Sequence, residues 1–170
     1  IESFKGTVVH PQFWPEDLDY TGKKVVVIGS GATAVSMVPA MARKAAKVTM
    51  LQRSPGYLFS MQRNSLLTRT IRKVFPQSVS YWMIRFIALM FEKLIWVLSR
   101  SAPGVVKKMV RTQNTSMLPA GYPVDTDFKP RYNPWDQRMC LVADGDVFEE
   151  ITKGTLEVVT DLIDHVDETG

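Results

Sequence analysis

Lys24-Val25-Val26-Val27-Ile28-Gly29-Ser30-Gly31-Ala32-Thr33-Ala34 is the stretch that decides the fold. The β-branched, uncharged run from Val25 to Ile28 predicts a parallel strand buried on both faces, and it ends in Gly-Ser-Gly-Ala-Thr-Ala, a G-x-G-x-x-A pattern. In such a turn Gly29 permits the tight bend, Gly31 lets a pyrophosphate approach the backbone, and Ala34 keeps the following helix close to the sheet. Ser30, Ala32 and Thr33 complete the loop, whose amide groups at the helix N-terminus suit phosphate oxygens. Ala32 to Ala42 reads as that helix. Pro39 lies inside it and removes one backbone hydrogen bond, so a kink or an early change of register is expected. The fold class that follows is α/β, a Rossmann-like parallel sheet, here with a helical insertion.

The next strand indicates which dinucleotide. Ala46-Lys47-Val48-Thr49-Met50-Leu51-Gln52-Arg53-Ser54 ends about twenty residues beyond the glycines, where an NAD enzyme offers Asp or Glu to the ribose hydroxyls. Arg53 and Ser54 stand there instead. A guanidinium with a hydroxyl suits a 2′-phosphate through charge-assisted hydrogen bonds, which favours NADP(H) over NAD(H). The alternative is a solvated cation at a strand end.

Upstream lies a second signature, Phe4-Lys5-Gly6-Thr7-Val8-Val9-His10-Pro11-Gln12-Phe13-Trp14-Pro15. It resembles the fingerprint of the Baeyer-Villiger, class B flavin-dependent monooxygenases, F-x-G-x-x-x-H-x-x-x-W-P or W-D, with Phe4, Gly6, His10, Trp14 and Pro15 at every fixed position. Related flavin-containing and N-hydroxylating monooxygenases usually carry another aromatic where Trp14 stands. The same residues also admit a structural reading, in which Trp14 packs, Pro15 stiffens a linker and His10 is a satisfied loop residue. The resemblance implies an interdomain linker that couples nicotinamide binding to catalysis. It extends to Met50-Leu51-Gln52-Arg53-Ser54-Pro55 and to Tyr132-Asn133-Pro134-Trp135-Asp136-Gln137-Arg138-Met139-Cys140-Leu141. By that likeness Arg138 is the catalytic residue, an arginine that faces the flavin and stabilises negative charge developing there. Gln137 departs from the pattern, since many members have a lysine there that helps to hold the 2′-phosphate.

What the resemblance implies is an NADPH- and FAD-dependent monooxygenase that inserts oxygen into ketones and oxidises sulfides, with FAD bound mainly by a domain of the same parent protein outside this chain. Only one glycine motif occurs here, so the chain is expected to be the NADPH-binding portion and inactive alone. Two other readings stay open: a related monooxygenase acting on nitrogen or sulfur, and a non-catalytic dinucleotide-binding module. The expected division is residues 1–22 as linker, 23–60 as the first βαβ part, 61–120 as a helical insertion, and 121–170 as the remainder. Val158 to Gly170 reads as a strand followed by the first arm of a hairpin.

Composition agrees with a globular α/β unit, at 45% hydrophobic and 22% charged residues. Cys140 is the one cysteine, without an intrachain partner or ligand-type neighbours at metal-binding spacing, so no metal site is expected and a reducing, cytoplasmic setting fits. Cations crowd Arg63 to Arg111 against Glu92 alone, while acids collect from Asp144 to Glu168. No nucleic-acid motif accompanies the cations, and solvated helix faces with a basic approach for NADPH account for them. Ser80 to Leu98 is strongly apolar and aromatic, but Arg85, Glu92 and Lys93 interrupt it at a cost that argues against a membrane span. The favoured reading is a buried helix of the insertion whose exposed side covers the FAD domain or lines a substrate route, with membrane-surface contact the lesser one. Pro76, Pro103-Gly104, Pro119 and Pro123 divide the insertion into two or three helices.

Overall fold

The computed structural model describes residues 3–62, 65–137 and 139–168. The glycine-rich stretch forms β1 (Lys24–Ile28), a turn, and α1 (Ala32–Ala42), which returns the chain to β2 (Lys47–Gln52). β5 (Leu156–Thr160) lies on the other side of β2, giving a three-stranded sheet in the order β1-β2-β5. Both pairings are parallel, with Val25 opposite Val48 and Val48 opposite Leu156. Parallel neighbours require long crossovers. α1 supplies the first, and everything from residue 53 to residue 155 lies within the second.

The core follows from the two periodicities. Alternate residues of β2 and β5, namely Val48, Met50, Leu156 and Val158, meet Val35, Val38, Met41 and Ala42 of α1 and Val147, Phe148 and Ile151 of α6 (Asp146–Lys153). α1 spans Ala32 to Ala42 with the buried Pro39 inside it. On α6 itself, Glu150 is only 2% exposed and is held by Arg43, Lys153 and Thr155, with Thr155 Oγ1 donating to its Oε2 at 2.8 Å. Burial works to raise the Glu150 pKa, yet the hydrogen bonds from Thr155 and Lys153 and the nearby cations hold it below the usual carboxylate range.

The expectation for β1 needs correction. It is buried on one face, since Val26 and Ile28 are each 60% exposed while Val25 and Val27 pack on the core. The reason is that α1 and α6 pack on the side of the sheet that carries Val25 and Val27, while Val26 and Ile28 point to the other side.

Between β2 and α6 the chain runs through β3 (Tyr57–Met61), α2 (Leu66–Val74), α3 (Gln77–Ser101), α4 (Pro103–Met117), the short α5 (Val124–Asp127) and β4 (Met139–Ala143), with α2, α3 and α4 inside the expected insertion 61–120. β3 and β4 pair in parallel as a separate two-stranded sheet, Tyr57 opposite Met139. Neither this sheet nor α6 is evident in the sequence reading. The prolines act as foreseen: Pro76 precedes α3 and Pro103 opens α4, where its missing amide costs no intrahelical bond. Ser65 caps α2, accepting from the Thr68 amide, and Ser80 Oγ ties α2 to α3 by donating to the carbonyls of Ile71 and Phe75. Tyr57, Phe59, Val106 and Val110 form a second, smaller core.

α3 is buried along one stripe, and the apolar side it leaves exposed is wider than the sequence reading of a buried helix implies. Only Ser80, Ile95 and Ser99 are buried along its length. Its main neighbours are α2 and α4, with Phe91 stacked on Phe59, so one stripe is covered and the apolar remainder faces outward. Among the described residues no helix is long and apolar enough to cross a membrane. Among the described residues beyond β5, 161–168, no hairpin arm forms. Residues 161–168 run past the N-terminal segment instead, with the Lys5 amide donating to the Glu168 carbonyl at 3.1 Å and Ser3 Oγ to that of Val166 at 2.6 Å.

Candidate dinucleotide-binding site

The parallel register brings the carboxyl ends of β1 and β2 together, the place where open α/β sheets hold their ligands. The Gly29 amide donates to the Leu51 carbonyl at 2.7 Å, which fixes the glycine turn beside the end of β2. Gly29 adopts φ +115°, a conformation that side-chain-bearing residues rarely take, and a Cβ at either Gly29 or Gly31 would meet nothing within 4 Å. The open space in front of both glycines is thus free for a ligand. Gly31 caps α1 without a side-chain hydrogen bond, and the first turn carries no acid, so the amides of Ala32, Thr33 and Ala34 have no side-chain acceptor. This is the arrangement that a pyrophosphate completes. Ala34 is buried against the sheet, as its small size requires.

An open cleft of about 330 Å³ extends from the turn, lined by Ile28, Gly29, Leu51, Arg53, Asp161, Leu162 and Ile163. Arg53 is therefore brought to the glycine turn. Ser54 is exposed beside it but does not line the cleft. Asp161 is not marked as a site residue by the sequence pattern. It follows β5 directly, and its amide donates to the Gln52 carbonyl at 3.0 Å, so the parallel neighbour of β2 delivers a carboxylate to the cleft that the end of β2 itself lacks. The signal was an aspartate at a strand end; using it required the strand order.

Behind the cleft, Gln52 is buried and anchors the end of β2. Its Nε2 donates to the Asp127 carbonyl and to Thr160 Oγ1, both at 2.8 Å, and Thr160 Oγ1 donates to Asp127 Oδ1 at 2.7 Å. Tyr122 donates its hydroxyl to Asp127 Oδ2 at 2.8 Å. Burial, reinforced by that hydrogen bond and the Asp127 charge, pushes the Tyr122 phenol well above its ordinary range. With Gln52 held inward, strand alternation directs Arg53 outward.

The fingerprint residues do not line this cleft. His10 precedes a short 3-10 turn, Pro11–Phe13, its Nδ1 accepting from the Gln12 amide at 3.3 Å and its ring 5.8 Å from that of Phe13. Trp14 lies edge-on to Tyr20 at 6.0 Å, and Pro15 is exposed. The Phe4 ring covers Gly6 so closely that a Cβ there would sit 2.3 Å from it. Arg138 lies outside the described residues. Its neighbour Cys140 is buried, with Sγ 4.0 Å from the Ser30 carbonyl, so β4 passes beside the glycine turn.

A family model described as flavin-binding monooxygenase-like matches residues 1–151. The FAD-containing monooxygenase EthA of Mycolicibacterium smegmatis is 45% identical over 170 residues, covering 99% of this chain and 35% of that protein. The chain thus spans about a third of the length of the curated relatives it matches. Among solved structures, an oxidized steroid monooxygenase bound to NADP superposes with a TM-score of 0.70 at 22% identity, covering 100% of this chain and 40% of that one. A cyclohexanone monooxygenase from Rhodococcus sp. Phi1 bound to NADP+ gives 0.63 at 13% identity, covering 94% and 36% respectively. At these identities the likeness is one of fold.

Proposed function

This chain belongs to the flavin-binding monooxygenase-like family, and on that footing we propose that it is the NADP(H)-binding portion of an FAD-dependent enzyme that converts ketones to esters or lactones. The observation that carries the reading is the uncapped N-terminus of α1, reached through a glycine turn whose Gly29 lines the same cleft as Arg53. When bound, the nicotinamide supplies hydride and the flavin activates oxygen. The residues of this chain hold and orient. Gly29 to Ala34 present amides to the pyrophosphate, Arg53 with Ser54 nearby offers positive charge and a hydroxyl to the 2′-phosphate, and Asp161 offers acceptors to sugar hydroxyls. FAD belongs to a part of the parent protein beyond these residues, in keeping with the longer FAD-containing relatives.

Within this reading residues 1–22 are a linker, 23–60 and 121–170 form the dinucleotide unit, and 61–120 are inserted into it. The unbroken succession of α2, α3 and α4 supports the inserted segment. Trp14-Pro15 and the likeness of fold to a cyclohexanone monooxygenase favour a ketone over an amine. Arg138 is the cation assigned to the developing negative charge near the flavin, since preorganised positive charge in a site shielded from water is worth several kcal/mol in the rate.

The test uses the full-length parent enzyme with NADPH, oxygen, and paired ketone and sulfide substrates, following ester and sulfoxide by mass spectrometry. Ester formation is expected, with Arg138→Ala abolishing it while NADP affinity stays within a few fold. Sulfoxide without ester would replace the ketone reading by a sulfur-oxidising one. Ketone turnover by Arg138→Ala at a rate near that of the unmodified enzyme would remove Arg138 from the chemistry.

A further inference from the structure

The outward side of α3 has a composition that the dinucleotide unit does not use. Trp82, Leu89 and Trp96 recur at intervals of seven residues and so fall on one side of the helix, with Phe86 beside them; their exposures are 67%, 49%, 50% and 62%. Lys93 stands on this same face, four residues after Leu89 and three before Trp96. At 25 residues the helix is roughly 38 Å long, so the aromatic stripe covers about four turns. α2 adds exposed Leu66, Leu67 and Val74 beside the cations Arg69, Arg72 and Lys73. Together α2 and α3 carry Arg69, Arg72, Lys73, Arg85, Lys93 and Arg100 against Glu92 alone.

We propose that the outward face of α3, with α2 at its side, docks this protein on an anionic lipid surface, lying in the interface without crossing it. Charge decides between lipid and protein as the occupant. A protein layer closing over Trp82, Leu89 and Trp96 would also bury the Lys93 ammonium among them, and lysine is depleted from interface cores for the desolvation it costs. At a bilayer surface the lysine stem lies along the apolar stripe while its ammonium reaches the phosphate level, and tryptophan and phenylalanine settle at the acyl boundary. The one-sided charge of α2 and α3 complements anionic headgroups. The same cations, with Glu92, are what prevent a spanning helix.

The test is co-sedimentation of the full-length parent enzyme with vesicles of phosphatidylcholine, alone and mixed with phosphatidylglycerol, at low and high salt. Binding is expected to the mixed vesicles, weakening with salt. The triple variant K73E/R85E/K93E should lower that affinity on the order of a hundredfold or more, since each basic residue near the surface contributes roughly fivefold. Trp82→Glu with Leu89→Glu should abolish binding at unchanged flavin content and unchanged turnover of a water-soluble substrate. Absence of binding by the unmodified enzyme, or binding indifferent to these variants, would overturn the proposal. Loss of flavin or of folding in the Trp82/Leu89 variant would assign the stripe to the parent's own chain and overturn it too. Conversion of an oligomer to a monomer by the same variant, without vesicle binding, would give the face to a second copy.

Discussion

At the scale of single residues, the two glycines of the turn separate folding from binding. Gly29 sits at φ +115°, so Gly29→Ala carries a backbone penalty of roughly 1–2 kcal/mol even though its methyl meets no atom within 4 Å. Gly31 has φ −73° and ψ 176°, extended backbone open to any residue. Gly31→Ala should therefore leave the unfolding midpoint nearly unchanged and still place a methyl where the proposed pyrophosphate would lie. At least tenfold weaker NADP binding by calorimetry is expected for both variants, with a stability loss for Gly29→Ala alone. Equal NADP affinity in Gly31→Ala would mean that the dinucleotide does not approach the turn. Arg53 is argued in the same way from position and charge. Losing its contact to a 2′-phosphate, about 1.5–3 kcal/mol, lowers NADPH affinity roughly ten- to hundredfold, while NADH affinity stays nearly constant. A parallel loss with both cofactors would assign Arg53 a structural role. Asp161 lines the same cleft, and in the proposed reading its carboxylate meets the sugar hydroxyls common to both nucleotides.

At the scale of elements, α4 contains an inconsistency that predicts a variant. Asn114 is fully buried, yet neither its amide nitrogen nor its oxygen has a partner. An unsatisfied buried amide costs about 1–3 kcal/mol, whereas an apolar side chain of similar shape there costs nothing in hydrogen bonding. Asn114→Leu should raise the unfolding free energy by about 1–2 kcal/mol, read as a higher urea midpoint at an unchanged m-value. A lower midpoint would show that a bound water satisfies the amide. The elements also differ in how far the sequence discloses them. β1, the glycine turn and α1 are legible because each local signal, the β-branched run, the paired glycines and the alanine-rich continuation, points the same way. β3 is not: Tyr57 to Met61 is short and lies between Pro55-Gly56 and the insertion, and its pairing with β4 depends on residues about eighty positions away. Exposure was the harder property. The runs Val25 to Ile28 and Ser80 to Leu98 are apolar enough to suggest burial, but periodicity states which residues share a face, not whether another layer covers it. Asp161 was out of reach for a related cause, since it joins the cleft through the β2–β5 pairing rather than through spacing from the glycines.

At the scale of the whole molecule, two tyrosines couple the folded state to alkaline pH from opposite sides of the chain. Tyr57 is 3% exposed in the small β3–β4 unit, donating to the Tyr132 carbonyl at 2.7 Å and lying edge-on to the Tyr132 ring at 5.3 Å. Desolvation, with smaller contributions from Tyr132 and Asp136, pushes its phenol up to about 12 from 10.0. Tyr122, behind the dinucleotide cleft, is raised for the same first reason and by Asp127. Both groups are neutral when protonated, and each holds its proton more tightly folded than unfolded. Their contribution to stability is therefore complete below pH about 10, and for Tyr57 it is lost as pH rises toward about 12. Each such group takes up to about 1.4 kcal/mol per pH unit through its window. Urea unfolding at fixed ionic strength should give a flat midpoint from neutrality to pH about 9.5 and a steep fall above it. Tyr57→Phe removes one hydrogen bond and with it one titrating group, so it should start lower at neutral pH and fall less steeply. A variant that follows the unmodified slope above pH about 10 would show that the alkaline loss arises elsewhere, for instance from lysine pairs such as Lys47–Glu157 across β2 and β5.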